Sequence, residues 1–150
     1  NYSKSKDKLK KILFNLFKKK KTLILWGRLF YVFGENQNSR TLYGQLNKLI
    51  KDKKKIFNMS RGDQTRDYLN INDVINIIIN LIKKSNKSDV INICSGRPVS
   101  LKKLVNDWLK KKKYKIKINY GHYEYSKNEA KNFWGNSDKL KKILKLNENL

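Results

Sequence analysis

Residues 62–96 read GDQTRDYLNINDVINIIINLIKKSNKSDVINICSG. After a polar turn, Asp73 is expected to cap a helix, and a short β-branched stretch, Val90 to Cys94, predicts a strand that ends in a turn over residues 96–99. A strong helix joined directly to an apolar strand is the repeating unit of α/β proteins. The helix is indicated by apolar residues at helical spacing, namely Val74, Ile77, Ile78, Leu81 and Ile82.

Upstream of this unit the alternation of helices and strands continues. The first segment has apolar residues at three- and four-residue spacing and predicts a helix that ends at the lysines of 18–21. Residues 22–33 are apolar, β-branched and aromatic, and predict a buried strand. Ser39 is expected to cap the next helix, which carries apolar residues from 42 to 50, and residues 56–58 predict a short strand.

Downstream, the pattern repeats to the end of the chain. Ser100 is expected to cap a helix that is apolar on one face, residues 115–120 alternate as an edge strand does, and Ser137 is expected to cap a last helix. Five helices alternating with four strands predict an α/β layer structure and argue against a helical DNA-binding module.

The charge of the chain is large, but its composition offers a simple cause. The formal net charge is +24, which ordinarily suggests a nucleic-acid or anionic membrane partner. Of the 36 basic residues, however, 31 are Lys and 5 are Arg, and there are 19 Asn and 15 Ile against one Ala and one Pro. AT-rich coding favours this set, so we interpret the lysine runs 18–21, 53–55 and 110–113 as solvated helix ends. We expect neither a nucleic-acid nor a membrane partner.

The amino-acid composition excludes several other classes of protein. With 39% hydrophobic residues the chain is too apolar for a disordered basic tail. One cysteine excludes an internal disulfide, and with one histidine it argues against a zinc site, so no metal is expected. We interpret that cysteine, Cys94, as a small buried hydrophobe. The best apolar stretch, residues 22–33, is too short for a membrane span and contains Arg28.

Tyr2 and Lys6 form a Tyr-x-x-x-Lys pair near the start of the chain. At positions i and i+4 of a helix both side chains emerge from one face. A lysine ammonium beside a phenol favours the phenolate, which suits proton transfer to or from a sugar or alcohol hydroxyl. The pair alone is weak evidence in a lysine-rich chain, since Tyr123 and Lys127 form a second one.

Further motifs follow Lys6 in a definite order. Residues 28–37 read RLFYVFGENQ, 62–69 read GDQTRDYL, 92–96 read NICSG, and 99–101 read VSL. Together with Tyr-x-x-x-Lys they closely resemble the C-terminal half of the extended short-chain dehydrogenase/reductases, the NAD-dependent nucleotide-sugar epimerase/dehydratase family. The resemblance covers nearly all 150 residues.

Two shorter motifs refine the placement within that family. Residues 58–60, Asn-Met-Ser, and residues 133–135, Phe-Trp-Gly, are most similar to the CDP-abequose and CDP-paratose synthase-like 4-ketoreductases. The resemblance leaves epimerase, dehydratase and ketoreductase activity open, and likewise NAD and NADP.

The resemblance implies a Rossmann-like fold and a division of the chain. Residues 1–35 would end the dinucleotide-binding core, and 36–150 would be mainly the substrate-binding region, with 70–95 returning to the core. The chain opens at Asn1 with a helix pattern and has no Gly-x-x-Gly-x-x-Gly turn for a dinucleotide. We therefore expect a C-terminal fragment, inactive alone, of a cytoplasmic homodimer whose cofactor is held mainly by an N-terminal half.

The resemblance also implies roles for individual residues. Tyr2 would be the catalytic acid/base, and Lys6 would bind the nicotinamide ribose and tune Tyr2, so that both are catalytic and cofactor-binding. Arg66 would hold the diphosphate of a nucleotide-sugar substrate, a task that suits a guanidinium. Tyr31 stands where many members have a substrate-contacting Asn. Lys127 and Glu129 lie near a region that commonly contacts the sugar nucleotide, with Lys127 in place of an arginine.

Two alternatives stay open at this point. The first is a basic nucleic-acid-binding module, which the charge alone suggests and the scarcity of arginine disfavours. The second is a catalytically dead, sugar-nucleotide-binding relative whose upstream half has lost its glycine turn.

Overall fold

The computed structural model describes residues 1–126 and 129–145, and it confirms the α/β class that the sequence predicts. Five helices occur in this part of the chain: α1 Tyr2–Phe17, α2 Leu42–Lys51, α3 Ile71–Lys84, α4 Leu101–Lys111 and α5 Asp138–Leu144. The strands are β1 Leu25–Leu29, β2 Tyr31–Phe33, β3 Ile56–Asn58, β4 Thr65–Arg66, β5 Tyr68–Asn70, β6 Asp89–Ile93, β7 Val99–Ser100, β8 Lys117–Asn119 and β9 Asn132–Phe133.

Most strand pairs are parallel. β1 pairs with β6, β2 with β5 and β3 with β8, each in parallel, and helices occupy the connections between them. β4 lies between β7, which is antiparallel to it, and β9, which is parallel. Parallel pairing with helical crossovers is the arrangement expected of an α/β protein.

The prediction of one buried strand over residues 22–33 is wrong in two respects. The segment divides at Phe30 into β1 and β2, which pair with different strands. β1 is half-buried or exposed along its length, because among the described residues it pairs on one side only. The division occurs where the backbone nitrogen of Phe30 donates to the carbonyl of Ile93 (3.3 Å) and that of Tyr31 donates to the backbone carbonyl of Asp67 (3.2 Å).

Two hydrophobic clusters form the core. The first joins α2, β3 and α4, and the second joins α3, β6 and α5. The first is centred on Leu46, Phe57, Val105 and Trp108, and the second on Val74, Leu81, Ile91 and Leu140.

The helix caps differ from prediction at two of four positions. Thr41, not Ser39, caps α2 by accepting a hydrogen bond from the nitrogen of Gly44. Asn70, not Asp73, caps α3, and Asp73 falls in the first turn, where a carboxylate still favours the helix dipole. Ser100 caps α4 as predicted, through the nitrogen of Lys103. Ser137 occupies the N-cap of α5 without a side-chain hydrogen bond.

Helix α1 packs less tightly than the others. None of its residues is buried, and Leu9, Ile12 and Leu16 on its apolar face are exposed. No helix in the described part of the chain combines the length and apolar character that a bilayer crossing requires.

Candidate functional site

Tyr2 and Lys6 share one face of the first two turns of α1. The Lys6 ammonium lies 5.6 Å from the centroid of the Tyr2 ring, and Tyr2 is 76% exposed. Asp7 is occupied by other lysines: Lys10 donates to one of its oxygens and Lys11 lies 3.0 Å from the other. These hydrogen bonds, with Lys10 first, hold the pKa of Asp7 at about 2. Within residues 1–126 and 129–145, Lys6 has no acidic partner and stays available to Tyr2.

A groove of about 720 Å³ separates this helix face from β1. The strand wall is apolar except for Arg28, and the helix wall carries a phenol, a hydroxyl, ammonium groups and the carboxylate of Asp7. Pockets of this size with a few convergent polar groups are typical of small-molecule sites. The lining residues are Tyr2, Ser3, Lys6, Asp7, Lys10 and residues 25–29.

Arg66 is the centre of a second group of predicted site residues. Its side chain is 2% exposed, which is rare for an arginine and requires that its donors be satisfied. One terminal nitrogen (Nη1) donates to the carbonyls of Thr65 (2.8 Å) and Lys131 (2.9 Å). The other (Nη2) donates to Oε1 of Glu129 at 2.6 Å. Glu129 itself is 46% exposed, so the pair sits at the edge of the protein interior.

One ring of an aromatic cluster lies beside the Arg66 guanidinium. The guanidinium lies 5.8 Å from the ring of Tyr31, which in turn lies 5.1 Å from the ring of Tyr68 and 6.3 Å from that of Phe133. Burial, reinforced by the neighbouring Tyr31, raises the pKa of Tyr68 to about 12. The predicted residues Tyr31, Arg66 and Glu129 are therefore brought together by β2, β4 and the segment that precedes β9.

The electrostatic balance keeps Arg66 charged. Burial alone would lower the pKa of its guanidinium, but the hydrogen bond to Glu129 and the nearby Tyr31 outweigh that effect and raise it. A buried, permanently charged guanidinium whose partner is a half-exposed carboxylate can exchange that carboxylate for another anion.

The two groups of residues stay separate but are joined by one backbone segment. β1 lines the groove beside Tyr2, and two residues after its end Tyr31 stands beside Arg66. Within the described part of the chain, neither Tyr2 nor Lys6 forms a hydrogen bond or a cation–π contact with Arg66. Lys127, the remaining predicted site residue, lies outside the described residues.

Asp67 is a charged residue of this region that sequence reasoning assigned no role. Its side chain is 0% exposed and accepts four hydrogen bonds. One oxygen (Oδ1) accepts from Ser95, and the other (Oδ2) accepts from the nitrogens of Gly96 (2.8 Å) and Gly135 (3.4 Å). It fixes the strand that carries Arg66 to two distant turns. The available signal was the Arg-Asp pair in residues 64–72, whose other side chains are all uncharged.

Cys94 is buried, as predicted, beside this carboxylate. Burial, and then the charge of Asp67, raise the pKa of its thiol to about 11. A thiol of this kind is a poor nucleophile at neutral pH. No cluster of three or more metal-ligating side chains occurs among residues 1–126 and 129–145.

A protein-family model matches the first part of the chain. The model described as "NAD dependent epimerase/dehydratase family" matches residues 1–94, which include both groups of site residues except Glu129 and Lys127.

Two curated relatives come from Aggregatibacter actinomycetemcomitans. A dTDP-6-deoxy-L-talose 4-dehydrogenase (NAD(+)) is 25% identical over 111 residues, which are 73% of this chain and 40% of the relative. A GDP-6-deoxy-D-talose 4-dehydrogenase is 35% identical over 69 residues, 46% of this chain and 24% of the relative. The chain thus spans less than half the length of the curated relatives that it matches.

Solved structures share the fold. A UDP-N-acetylglucosamine 4-epimerase from Methanobrevibacter ruminantium M1, in complex with UDP-N-acetylmuramic acid, superposes with a TM-score of 0.79 at 19% identity. The match covers 99% of this chain and 48% of the epimerase. At that identity the likeness establishes a shared Rossmann-like fold.

Proposed function

Because the chain belongs to the NAD-dependent epimerase/dehydratase family, we propose that the intact protein carries out NAD(P)-dependent chemistry at C4 of a nucleotide-diphosphate sugar. The two curated relatives are named as 4-dehydrogenases of 6-deoxytalose nucleotides, which supports redox chemistry at that carbon. Among the activities of the family, this favours a 4-ketoreductase or 4-dehydrogenase over a dehydratase. The abequose- or paratose-type specificity remains a prediction from residues 58–60 and 133–135.

The activity is proposed for a longer protein than these 150 residues. The chain corresponds to 40% of the first curated relative and contains no glycine-rich turn of the dinucleotide-binding type. Residues 1–35 and 70–95 would then complete a dinucleotide-binding core, and most of the rest would bind substrate. On this proposal the 150-residue chain alone does not turn over substrate.

The residues present fit one end of a nicotinamide dinucleotide. A ribose presents vicinal hydroxyls, and the groove beside β1 offers a phenol and an ammonium from one helix face. Lys6 would donate to the ribose hydroxyls, and its ammonium lies beside the ring of Tyr2. When bound there, the nicotinamide would supply the acceptor or donor of the hydride.

Tyr2 would move the proton. Its hydroxyl stands exposed at the mouth of the groove, where a sugar hydroxyl can approach it. During oxidation the phenolate oxygen of Tyr2 would take the proton of the C4 hydroxyl, and during reduction the phenol would return it. The ammonium of Lys6 would lie beside the ring of Tyr2 in both directions.

The substrate diphosphate would bind at Arg66. A phosphate oxygen would replace the carboxylate of Glu129 on the guanidinium, while the carbonyls of Thr65 and Lys131 keep the side chain in place. Tyr31 would pack against the sugar or nucleotide beside that phosphate. Glu129 would then be released to contact the sugar nucleotide, as we propose for Lys127.

The observation that carries this proposal is the Tyr2–Lys6 pair facing a groove along β1. In the full-length protein, Tyr2→Phe should lower kcat for oxidation of a 4-hydroxy nucleotide sugar by orders of magnitude, because the proton acceptor is lost. Cofactor binding should be largely kept. The absorbance of the reduced nicotinamide measures kcat, and its fluorescence measures cofactor binding.

Tyr123→Phe is the matched control, since Tyr123 starts the second Tyr-x-x-x-Lys pair and is also exposed. It should leave kcat unchanged. Near-normal turnover by Tyr2→Phe would refute the assignment, and an inactive wild type that still binds sugar nucleotides would identify a dead relative. For the isolated chain, calorimetry should detect no micromolar NADPH binding.

A homodimer is also proposed, with α1 in the interface. The exposed Leu9, Ile12 and Leu16 on a helix without buried residues support this, because such a face gains from burial. Action in the cytoplasm, on a precursor of a surface polysaccharide, would follow from the use of a nucleotide sugar and NAD(P).

A further inference from the structure

The fold brings together two lysine runs that lie far apart in the sequence. β3 and β8 pair in parallel, with Ile56 opposite Lys117. Each strand follows a helix that ends in lysines, α2 in one case and α4 in the other. The carboxyl ends of both helices and the starts of both strands therefore meet at one end of the first hydrophobic cluster.

Hydrogen bonds fix this meeting point. The backbone nitrogen of Lys117 donates to the carbonyl of Lys55 at 3.0 Å, and the hydroxyl of Tyr114 donates to the carbonyl of Lys54 at 3.3 Å. The lysines that surround these bonds form what we term the lysine face: Lys53, Lys54, Lys55, Lys113, Lys115 and Lys117.

The lysine face carries uncompensated charge. All six side chains are exposed, and none forms an ion pair with an acidic side chain of the described residues. The nearby carboxylates are already occupied, since Asp52 pairs with Lys48 (2.9 Å) and Glu35 with Lys112 (3.1 Å). The lysine face thus presents six positive charges toward solvent.

Helix-end stabilisation explains only part of this arrangement. A lysine in or next to the last turn interacts favourably with the helix dipole, and the effect fades within one turn. Lys55, Lys115 and Lys117 lie beyond the helices, in the connections and in β8. Their positions contribute to the shared surface rather than to either helix end.

An apolar side chain stands among the lysines. Ile56 is 53% exposed, on the face of β3 opposite to the buried Phe57, and its register partner is Lys117. An apolar residue within a basic face is typical of surfaces that adsorb to lipid headgroups. Surfaces that bind single-stranded nucleic acid add stacked aromatic rings and arginine to a basic groove, and the lysine face has no arginine.

We propose that the lysine face is a docking surface for an anionic lipid bilayer, held by its lysines with Ile56 at the headgroup boundary. The sequence predicted no membrane partner, because AT-rich coding accounts for the lysine runs and no segment is long enough to span a bilayer. Neither ground bears on lysines that the fold brings together on one surface. The proposal is independent of the catalysis proposed above.

The test is co-sedimentation of the full-length protein with phosphatidylcholine vesicles that contain or lack phosphatidylglycerol. At about 0.15 M salt the chain should sediment only with the anionic vesicles, and it should be released near 1 M, where screening acts over ~3 Å. Each lysine near an anionic surface contributes about fivefold to partitioning. The quadruple variant Lys54→Gln, Lys55→Gln, Lys115→Gln, Lys117→Gln should therefore partition roughly 600-fold less.

A matched variant separates the lysine face from net charge. Lys18→Gln, Lys19→Gln, Lys20→Gln, Lys21→Gln removes the same charge from an exposed run elsewhere and should retain most of the binding. Because glycine suits their left-handed backbone, Lys53→Gly with Lys113→Gly should weaken binding without loss of fold. Circular dichroism confirms that each variant is folded.

Three results would overturn the proposal. Equal sedimentation with neutral and anionic vesicles would exclude a charge-driven surface. An equal loss in both quadruple variants would mean that net charge, not the lysine face, drives adsorption. Submicromolar, salt-sensitive binding of duplex DNA by a chain that ignores vesicles would assign the face to nucleic acid instead.

Discussion

The Asp67 carboxylate accepts hydrogen bonds from both the backbone nitrogen (2.8 Å) and the hydroxyl (2.7 Å) of Ser95, 28 residues along the chain. The same carboxylate also accepts hydrogen bonds from the backbone nitrogens of Gly96 and Gly135. One buried charge thus connects the strand of Arg66, the turn after β6 and the segment before α5. It satisfies these backbone donors in the way that a cap satisfies a helix end.

Replacing Asp67 should destabilise the fold strongly. Asp67→Ala leaves several buried donors unpaired, and we expect the free energy of unfolding to fall by about 3 kcal/mol or more. Asp67→Asn keeps the shape but has one accepting oxygen, and should cost roughly half as much. Urea unfolding followed by circular dichroism measures both. Asp107→Asn, at an exposed ion pair with Lys103, is the control and should change stability by less than about 0.5 kcal/mol.

Glu129 should compete with anions for Arg66. Glu129→Gln removes the competing charge, so the chain should bind pyrophosphate or a nucleoside diphosphate several-fold more tightly, as measured by calorimetry. Arg66→Lys should weaken the same binding by about tenfold or more, because one ammonium cannot both keep the bonds to the carbonyls of Thr65 and Lys131 and bind the anion. Glu124→Gln makes the same charge change at another exposed glutamate and should have little effect. Equal affinities for wild type and Glu129→Gln would contradict the competition.

Alkylation of Cys94 should keep accelerating at alkaline pH. A thiol whose pKa is raised from 9.0 to about 11 favours its neutral form in the folded state, so this contribution to stability is complete below pH 9 and declines toward 11. The reaction rate with iodoacetamide should therefore rise about tenfold per pH unit beyond pH 9. Since Cys94 is the one cysteine, mass spectrometry reads the rate directly. A plateau near pH 9, as in the denatured chain, would show an ordinary thiol.

Glycine should stabilise two helix ends. Lys53 and Lys113 follow α2 and α4 with left-handed φ values of 51° and 52°. Each lies in a Schellman motif, in which the next residue donates back to Leu49 or Leu109. Lys53→Gly and Lys113→Gly should each raise the free energy of unfolding by about 0.5–1 kcal/mol. Lys8→Gly, at an exposed position inside α1, should lower it by a similar amount, and thermal unfolding compares the three variants.

Local sequence patterns were sufficient to predict the helices. They were not sufficient to predict how strands pair over long distances in the sequence. The apolar spacing of α3 and α4 and the cap at Ser100 are properties of a few adjacent residues, and the structure confirms them. The division of residues 22–33 at Phe30 depends instead on Ile93 and Asp67, which lie far along the chain. No periodicity within the segment itself carries that information.

The site could be predicted in part for the same reason. Tyr2 and Lys6 are one helical turn apart, so their common face follows from spacing alone. The meeting of Arg66 with Tyr31 and Glu129 depends on β2, β4 and the segment before β9, and the short strands β4, β5, β7 and β9 escaped prediction. Two- and three-residue strands are too short to have a period.

The pairing of β3 with β8 also has a consequence for the growing polypeptide on the ribosome. Asn58 and Asn119 are hydrogen-bonded across 61 residues of sequence. At ~5–20 residues per second, Phe57 and Met59 must wait roughly 3 to 12 s for the strand that completes their surroundings. During that interval the nascent chain exposes an apolar strand next to lysines, and this strand is a suitable target for a chaperone. The same interval is the stage of synthesis at which the chain is most exposed to aggregation.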